Sequence, residues 1–119
     1  MNLTIYHNPR CSKSRQTLDL ITENGIEPTI VRYLEEAPSA ATILELAGML
    51  GLPVADLLRT GESEYKDADD RPALDDDPAV ASWLERHPRV LQRPIVVDTD
   101  AGKAVVGRPP ENVKALLES

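Results

Sequence analysis

Cysteine is nearly missing from this chain, for Cys11 is the only one. A lone thiol cannot close an intramolecular disulfide, which excludes a stapled secreted scaffold and leaves the cytoplasm as the default compartment. Long apolar runs are missing too, so no segment reads as a membrane span. The N-terminus enters a strand pattern without a charged segment and an apolar signal region before it. Positive charge is in deficit: the formal net charge is −7. That balance weighs against general nucleic-acid binding, which needs a basic face to neutralise phosphates. One cysteine and two distant histidines, His7 and His87, make no recognisable zinc site, and no bound metal is expected. No glycine-rich dinucleotide or phosphate loop occurs either, and no bound cofactor is expected.

What is present is ordinary in bulk and uneven in detail. A chain of 119 residues, 28% charged and 41% hydrophobic, reads as one domain, residues 1–119, expected to be monomeric. Residues 62–77 hold eight carboxylates against two basic residues, Lys66 and Arg71. This stretch is expected to be a solvated surface or a mobile connection. Elsewhere acids and bases nearly balance, which leaves room for a local basic pocket.

The apolar pattern gives an order of elements. Leu3 to His7 alternates like a half-buried strand. A helix follows Cys11, with Leu18 and Ile21 on one face and Gly25 as its stop. Thr29 to Leu34 reads as a second strand, which completes a parallel βαβ unit. The middle is helical, an insertion over about residues 38–91. Pro38-Ser39 opens a helix with Ile43, Leu46, Ala47 and Leu50 inward, and Gly51 closes it. Pro53 starts a short helix through Leu57-Leu58-Arg59, ending at Gly61. Asp77-Pro78 is an N-cap and first-position pair for a helix with Val80, Trp83 and Leu84 inward. Ile95 to Asp98 and Lys103 to Val106 flank a turn as an antiparallel hairpin, and Pro109-Pro110 introduces a last helix. The order βαβ, helical insertion, ββα is that of an α/β thioredoxin-like fold on a mixed four-stranded sheet. In such folds a cis proline before the third strand faces the active thiol, and Pro94 occupies that place.

Cys11 stands at the strand-to-helix junction, where the unpaired amides of the first helical turn favour a thiolate. Arg10, Lys13, Arg15 and His7 offer cations nearby, and such settings lower a thiol pKa from about 8.5. Polar and charged flanks argue against a buried, inert cysteine.

Tyr6-His7-Asn8-Pro9-Arg10-Cys11-Ser12-Lys13-Ser14-Arg15, Tyr33-Leu34-Glu35, Leu57-Leu58-Arg59, His87-Pro88, Arg93-Pro94-Ile95-Val96-Val97 and Gly107-Arg108-Pro109 together carry a resemblance over essentially the whole chain. The sequence resembles the glutaredoxin-coupled arsenate reductase family, and its short branch most closely. The resemblance implies that Cys11 is the nucleophile and that His7 tunes it, with Ser14 in support. It implies that Arg59, Arg93 and Arg108 bind the oxyanion, for which planar guanidinium donors are well suited. Arg93 and Arg108 are expected near Cys11, whereas Arg59 needs the insertion to fold back over the site. Arg10, Lys13 and Arg15 are electrostatic helpers at most. The implied reaction reduces arsenate to arsenite, with glutathione as co-substrate and glutaredoxin completing the cycle.

Other thiol chemistries fit less well. Phosphatase-like arsenate reductases place an arginine six residues after the cysteine, where this chain has Thr17. A dithiol oxidoreductase needs a cysteine three residues on, where Ser14 stands. An Spx-type regulator that contacts RNA polymerase shares the fold, but its redox switch pairs two nearby cysteines. A general glutathione-linked thiol transfer through Cys11 is the remaining alternative.

Overall fold

The alternation of Leu3-Thr4-Ile5-Tyr6-His7 becomes strand β1 (Leu3–His7), with Leu3, Ile5 and His7 on its buried side. The computed structural model describes residues 2–117. They fall into two units, one from residues 1–36 and 93–119, the other Ala37–Gln92.

In the first unit, β1 is followed by α1 (Ser12–Glu23) and β2 (Thr29–Arg32), then by β3 (Ile95–Asp98) and β4 (Lys103–Val106). The sheet has four strands in the order β2-β1-β3-β4. β1 and β2 run parallel, while β1–β3 and β3–β4 are antiparallel. This is the mixed sheet of a thioredoxin-like fold. Every residue of β3 is buried, whereas β2 at the edge is mostly exposed. α1 ends in paired backbone bonds, Gly25 N–H to Thr22 O and Ile26 N–H to Ile21 O. Gly25 supplies the left-handed φ of 77° that this ending requires. Ile26 then packs on the cluster of Leu3, Ile5, Ile21, Val96, Val113 and Leu116. Val113 and Leu116 come from a 3-10 turn (Pro110–Val113) that runs into the short helix at Lys114–Leu117.

The second unit holds α2 (Ala40–Leu50), α3 (Ser63–Lys66) and α4 (Asp77–Arg86). Ser39 caps α2 by accepting from the Thr42 amide, and Gly51 closes it in the left-handed region. Ile43, Leu46 and Ala47 are buried on α2, and Val80, Ala81, Trp83 and Leu84 on α4.

Three expectations shift, and a fourth gains detail. The second strand stops at Arg32 rather than Leu34, because the Arg32 carbonyl accepts the Glu35 and Glu36 amides and turns the chain. The short helix after Pro53 is a 3-10 turn over Val54–Leu57. Leu58 is drawn instead into a bridge with Leu91, flanked by Arg59 N–H to Val90 O and Gln92 N–H to Leu57 O. The cap of α4 is Asp76, one residue early, since its Oδ1 accepts the Ala79 amide while Asp77 accepts from Val54. The acidic stretch is largely solvent-exposed, as expected, and it is tied to α4 at a few points. Trp83 Nε1 donates to Asp70 at 3.1 Å, His87 lies 2.8 Å from Glu64, and Tyr65 meets the Trp83 ring edge-on.

Candidate active site

Strand alternation and helix periodicity together bring His7 and Ser14 into contact. β1 presents His7 on the face that carries Leu3 and Ile5, and α1 turns Ser14, Thr17 and Ile21 inward. Ser14 Oγ lies 2.6 Å from His7 Nδ1 and accepts the Asn8 amide at 3.1 Å. A hydroxyl that has accepted from Asn8 still has its one proton to give, and Nδ1 receives it when the ring is neutral with its proton on Nε2. The surroundings favour that form. Burial first, then the charges of Arg32 and Arg15, hold the His7 pKa below its ordinary 6.5. His7 therefore drops out of the set of cations that the sequence offers to Cys11. Its role is to fix Ser14 and the loop.

Asn8, to which sequence reasoning assigned no role of its own, organises that loop. Its carbonyl accepts the Cys11 amide and its Oδ1 accepts the Arg10 amide, each at 3.0 Å. An asparagine before proline is a turn signal for this reason, since its side chain imitates a backbone turn. Arg15 Nη1 donates to Pro9 O at 2.9 Å, so this guanidinium braces the loop. Cys11 is the N-cap of α1, extended at φ −91° and ψ 121°, and is partly exposed.

Its thiol sits below the ordinary value. Burial pushes it up, but the Ser14 and Lys13 amides and the Arg93 guanidinium together outweigh that push. The side chain closes no cap hydrogen bond. The amides act through their field at the helix start, which does not need an ideal bond. Arg108 Nη1 stands 3.8 Å from Cys11 Sγ and donates to Arg93 O at 3.2 Å.

The segments carrying these arginines are tied to α1. The Arg93–Pro94 bond is cis, and so is Arg108–Pro109, for which no sequence feature pointed to that isomer. Gly107 N–H donates to Pro94 O at 2.9 Å. A Cβ on Gly107 would come within 2.5 Å of Thr17 Oγ1 and 2.9 Å of Pro94 Cγ, so only glycine allows this approach. Thr17, fully buried, donates towards Lys13 O and Gly107 O. Its spacing of three from Ser14 was the only signal available for it.

Cys11, His7, Ser14, Arg93, Arg108 and Pro94 thus all belong to the first unit. Arg59 belongs to the second, where it pairs with Glu62 at 3.6 Å and lines an open pocket of about 430 Å³ with Thr60, Ser63 and Gln92. Beside Cys11 the first unit offers a thiol biased to its anion and two guanidinium groups. Such a set can hold a small anion over the helix start while sulfur attacks it.

The chain matches the ArsC family over residues 6–116. It is 46% identical over 114 residues to the uncharacterized protein YfgD of Escherichia coli K12, covering 95% of this chain and 94% of that one. An arsenate reductase of Neisseria meningitidis serogroup B is 43% identical, with 97% of each chain covered. Among solved structures, an arsenate reductase from Vibrio cholerae superposes with a TM-score of 0.88 at 42% identity, covering 97% of each chain.

Proposed function

The chain belongs to the ArsC family, and from that membership we propose that it reduces arsenate to arsenite with Cys11 as the nucleophile. The observation that carries this reading is the Cys11 thiol, held below its ordinary pKa and flanked by Arg93 and Arg108. An arsenate reductase at 43% identity supports the substrate.

In the first step the Cys11 thiolate attacks arsenic of H₂AsO₄⁻. A sulfur–arsenic bond forms, one arsenic–oxygen bond breaks, and water leaves with both protons, giving Cys11–S–AsO₃²⁻. Arsenic remains As(V). Arg93 and Arg108 stabilise the charge that gathers on the equatorial oxygens. Glutathione then attacks the Cys11 sulfur of the adduct. The sulfur–arsenic bonding pair stays on arsenic, which becomes As(III) and leaves as arsenite after protonation. The two sulfurs are left as a mixed disulfide.

With one cysteine in the chain, that disulfide must be reduced from outside, and glutaredoxin supplies the exchange in this reading. His7 stays neutral and holds Ser14, whose amide faces the thiol. Arg59 enters only through the family resemblance; a raised KM for arsenate in Arg59→Ala, with intact folding, assigns it to the substrate. The reaction and its reductants belong in the cytoplasm.

Steady-state arsenite production from arsenate, glutathione and glutaredoxin is the direct test. Turnover that requires all three supports the assignment. No arsenite from a folded protein with a reactive thiol overturns it. Turnover with thioredoxin in place of glutathione and glutaredoxin would keep the reductase and replace its reductant.

A further inference from the structure

Asn112 lies outside every segment that carries the family resemblance, in the 3-10 turn Pro110–Val113. Its side-chain amide nitrogen donates to Val106 O at 3.1 Å and to Arg108 O at 3.2 Å. Both neighbours are carbonyl acceptors, so the NH₂ group must face them, and its two protons match two acceptors. The turn that delivers this amide is anchored: Pro110 and Val113 are buried, and Val113 belongs to the cluster that includes Ile21 of α1. Asn112 therefore bridges β4's last carbonyl and the carbonyl of the residue whose guanidinium approaches Cys11. Gly107, the residue between them, is already fixed against Thr17 and Pro94.

We propose that Asn112 is a positioning residue for Arg108, pinning the backbone that presents its guanidinium to the oxyanion beside Cys11. The inference rests on the reading of that site as an oxyanion site. Asn112 touches neither the thiol nor any reacting atom. A long arginine reaching from a loose loop would spread its two donors over many orientations. Clamping the carbonyl at its own residue and the one two residues earlier removes that freedom before the anion arrives. Asn112 is itself exposed, so its removal leaves no buried orphan and the fold should survive.

The test uses Asn112→Ala and the similarly sized Asn112→Leu, which removes both donors. The readouts are the arsenate concentration that half-protects Cys11 from iodoacetamide, and the pH midpoint of alkylation without arsenate. The half-protecting concentration should rise about tenfold, less than the ~10²-fold that a 1 Å misplacement can cost. The alkylation midpoint should move no further than it does in Arg108→Ala, because the Ser14 and Lys13 amides and Arg93, which also hold the thiol down, are left in place. In an Arg108→Ala background the Asn112 change should add nothing, as for two residues acting through one contact. Unchanged protection, a midpoint shifted beyond that of Arg108→Ala, or a full additional loss in the Arg108→Ala background would each overturn the proposal. A wild-type protein that arsenate fails to protect refutes the oxyanion reading itself, a separate failure.

Discussion

Each unit contains one histidine whose Nδ1 lies within hydrogen-bond reach of an oxygen, and the two serve different ends. His7, buried in the sheet unit, faces the Ser14 hydroxyl at 2.6 Å with arginines around it. His87, in the helical unit, faces the Glu64 carboxylate at 2.8 Å and stacks on Trp83 with ring centroids 4.1 Å apart. Burial, then the charges of Arg32 and Arg15, hold the His7 pKa below its ordinary value, which favours the neutral ring that accepts from Ser14 in the first turn of α1. His87 instead helps fasten a carboxylate-rich segment to a tryptophan. The difference lies in the partners: one histidine holds a hydroxyl in the first turn of α1, the other a carboxylate in a charged strap.

The largest effect should come from Cys11→Ser. Arsenite production should vanish while thermal unfolding stays near wild type, because the partly exposed thiol is not core packing. A collapsed Tm would make Cys11 structural and erase the contrast. In the helical unit the corresponding break is Trp83→Ala, which removes a fully buried ring. Urea unfolding should show a loss of about 3–5 kcal/mol. A loss below about 1 kcal/mol would mean that the aromatic cluster does not organise its surroundings.

Next come the arginines. Arg93→Ala and Arg108→Ala each remove charge-assisted bonds worth about 1.5–3 kcal/mol, so arsenate kcat/KM should fall roughly tenfold to a hundredfold. Both should raise the pH midpoint of Cys11 alkylation, since the Arg93 guanidinium holds the thiol down and Arg108 Nη1 stands 3.8 Å from its sulfur. A wild-type midpoint in Arg93→Ala would remove Arg93 from the tuning of the thiol.

Ser14→Ala sharpens the comparison further, because it strips a partner from His7 Nδ1 and from the Asn8 amide, at about 1–3 kcal/mol. His7 also sets a pH window. Its folded pKa is lowered, so between that value and 6.5 the unfolded chain binds the extra proton. Stability should therefore fall as pH drops below about 6.5 and level off below the folded pKa. His7→Gln should flatten this dependence in denaturant midpoints measured against pH. The smallest effect belongs to His87→Gln. Its contact with Glu64 is part-exposed, and such pairs are worth about 0–1 kcal/mol. A loss above about 2 kcal/mol would make the strap's histidine as consequential as the site's, and the contrast would fail.

Much of this was readable from local pattern. The alternation of β1, the Ser39 cap and Gly51 stop of α2, and the hairpin Ile95–Asp98 with Lys103–Val106 follow from preferences that act within a few residues. The boundary errors came where distant groups compete. Asp77 was drawn to Val54 and Leu58 to Leu91, across separations that no propensity records. The acidic stretch is largely solvent-exposed, as its composition says, but its contacts through Tyr65 and Asp70 with Trp83 form only once α4 is folded.

By itself the sequence determined the order of elements, the place of Cys11 at a helix start and the want of a second thiol. These depend on residue identity and near neighbours alone. Tertiary structure decided that His7 is held below its ordinary pKa and that Arg108, 97 residues from Cys11, stands 3.8 Å from its sulfur. It also brought Asn112 against the carbonyls on either side of Gly107. The reason is physical: desolvation and charge depend on which strands pair and which helices cover them. Those pairings are fixed by the register of the whole sheet, not by any stretch of chain read alone.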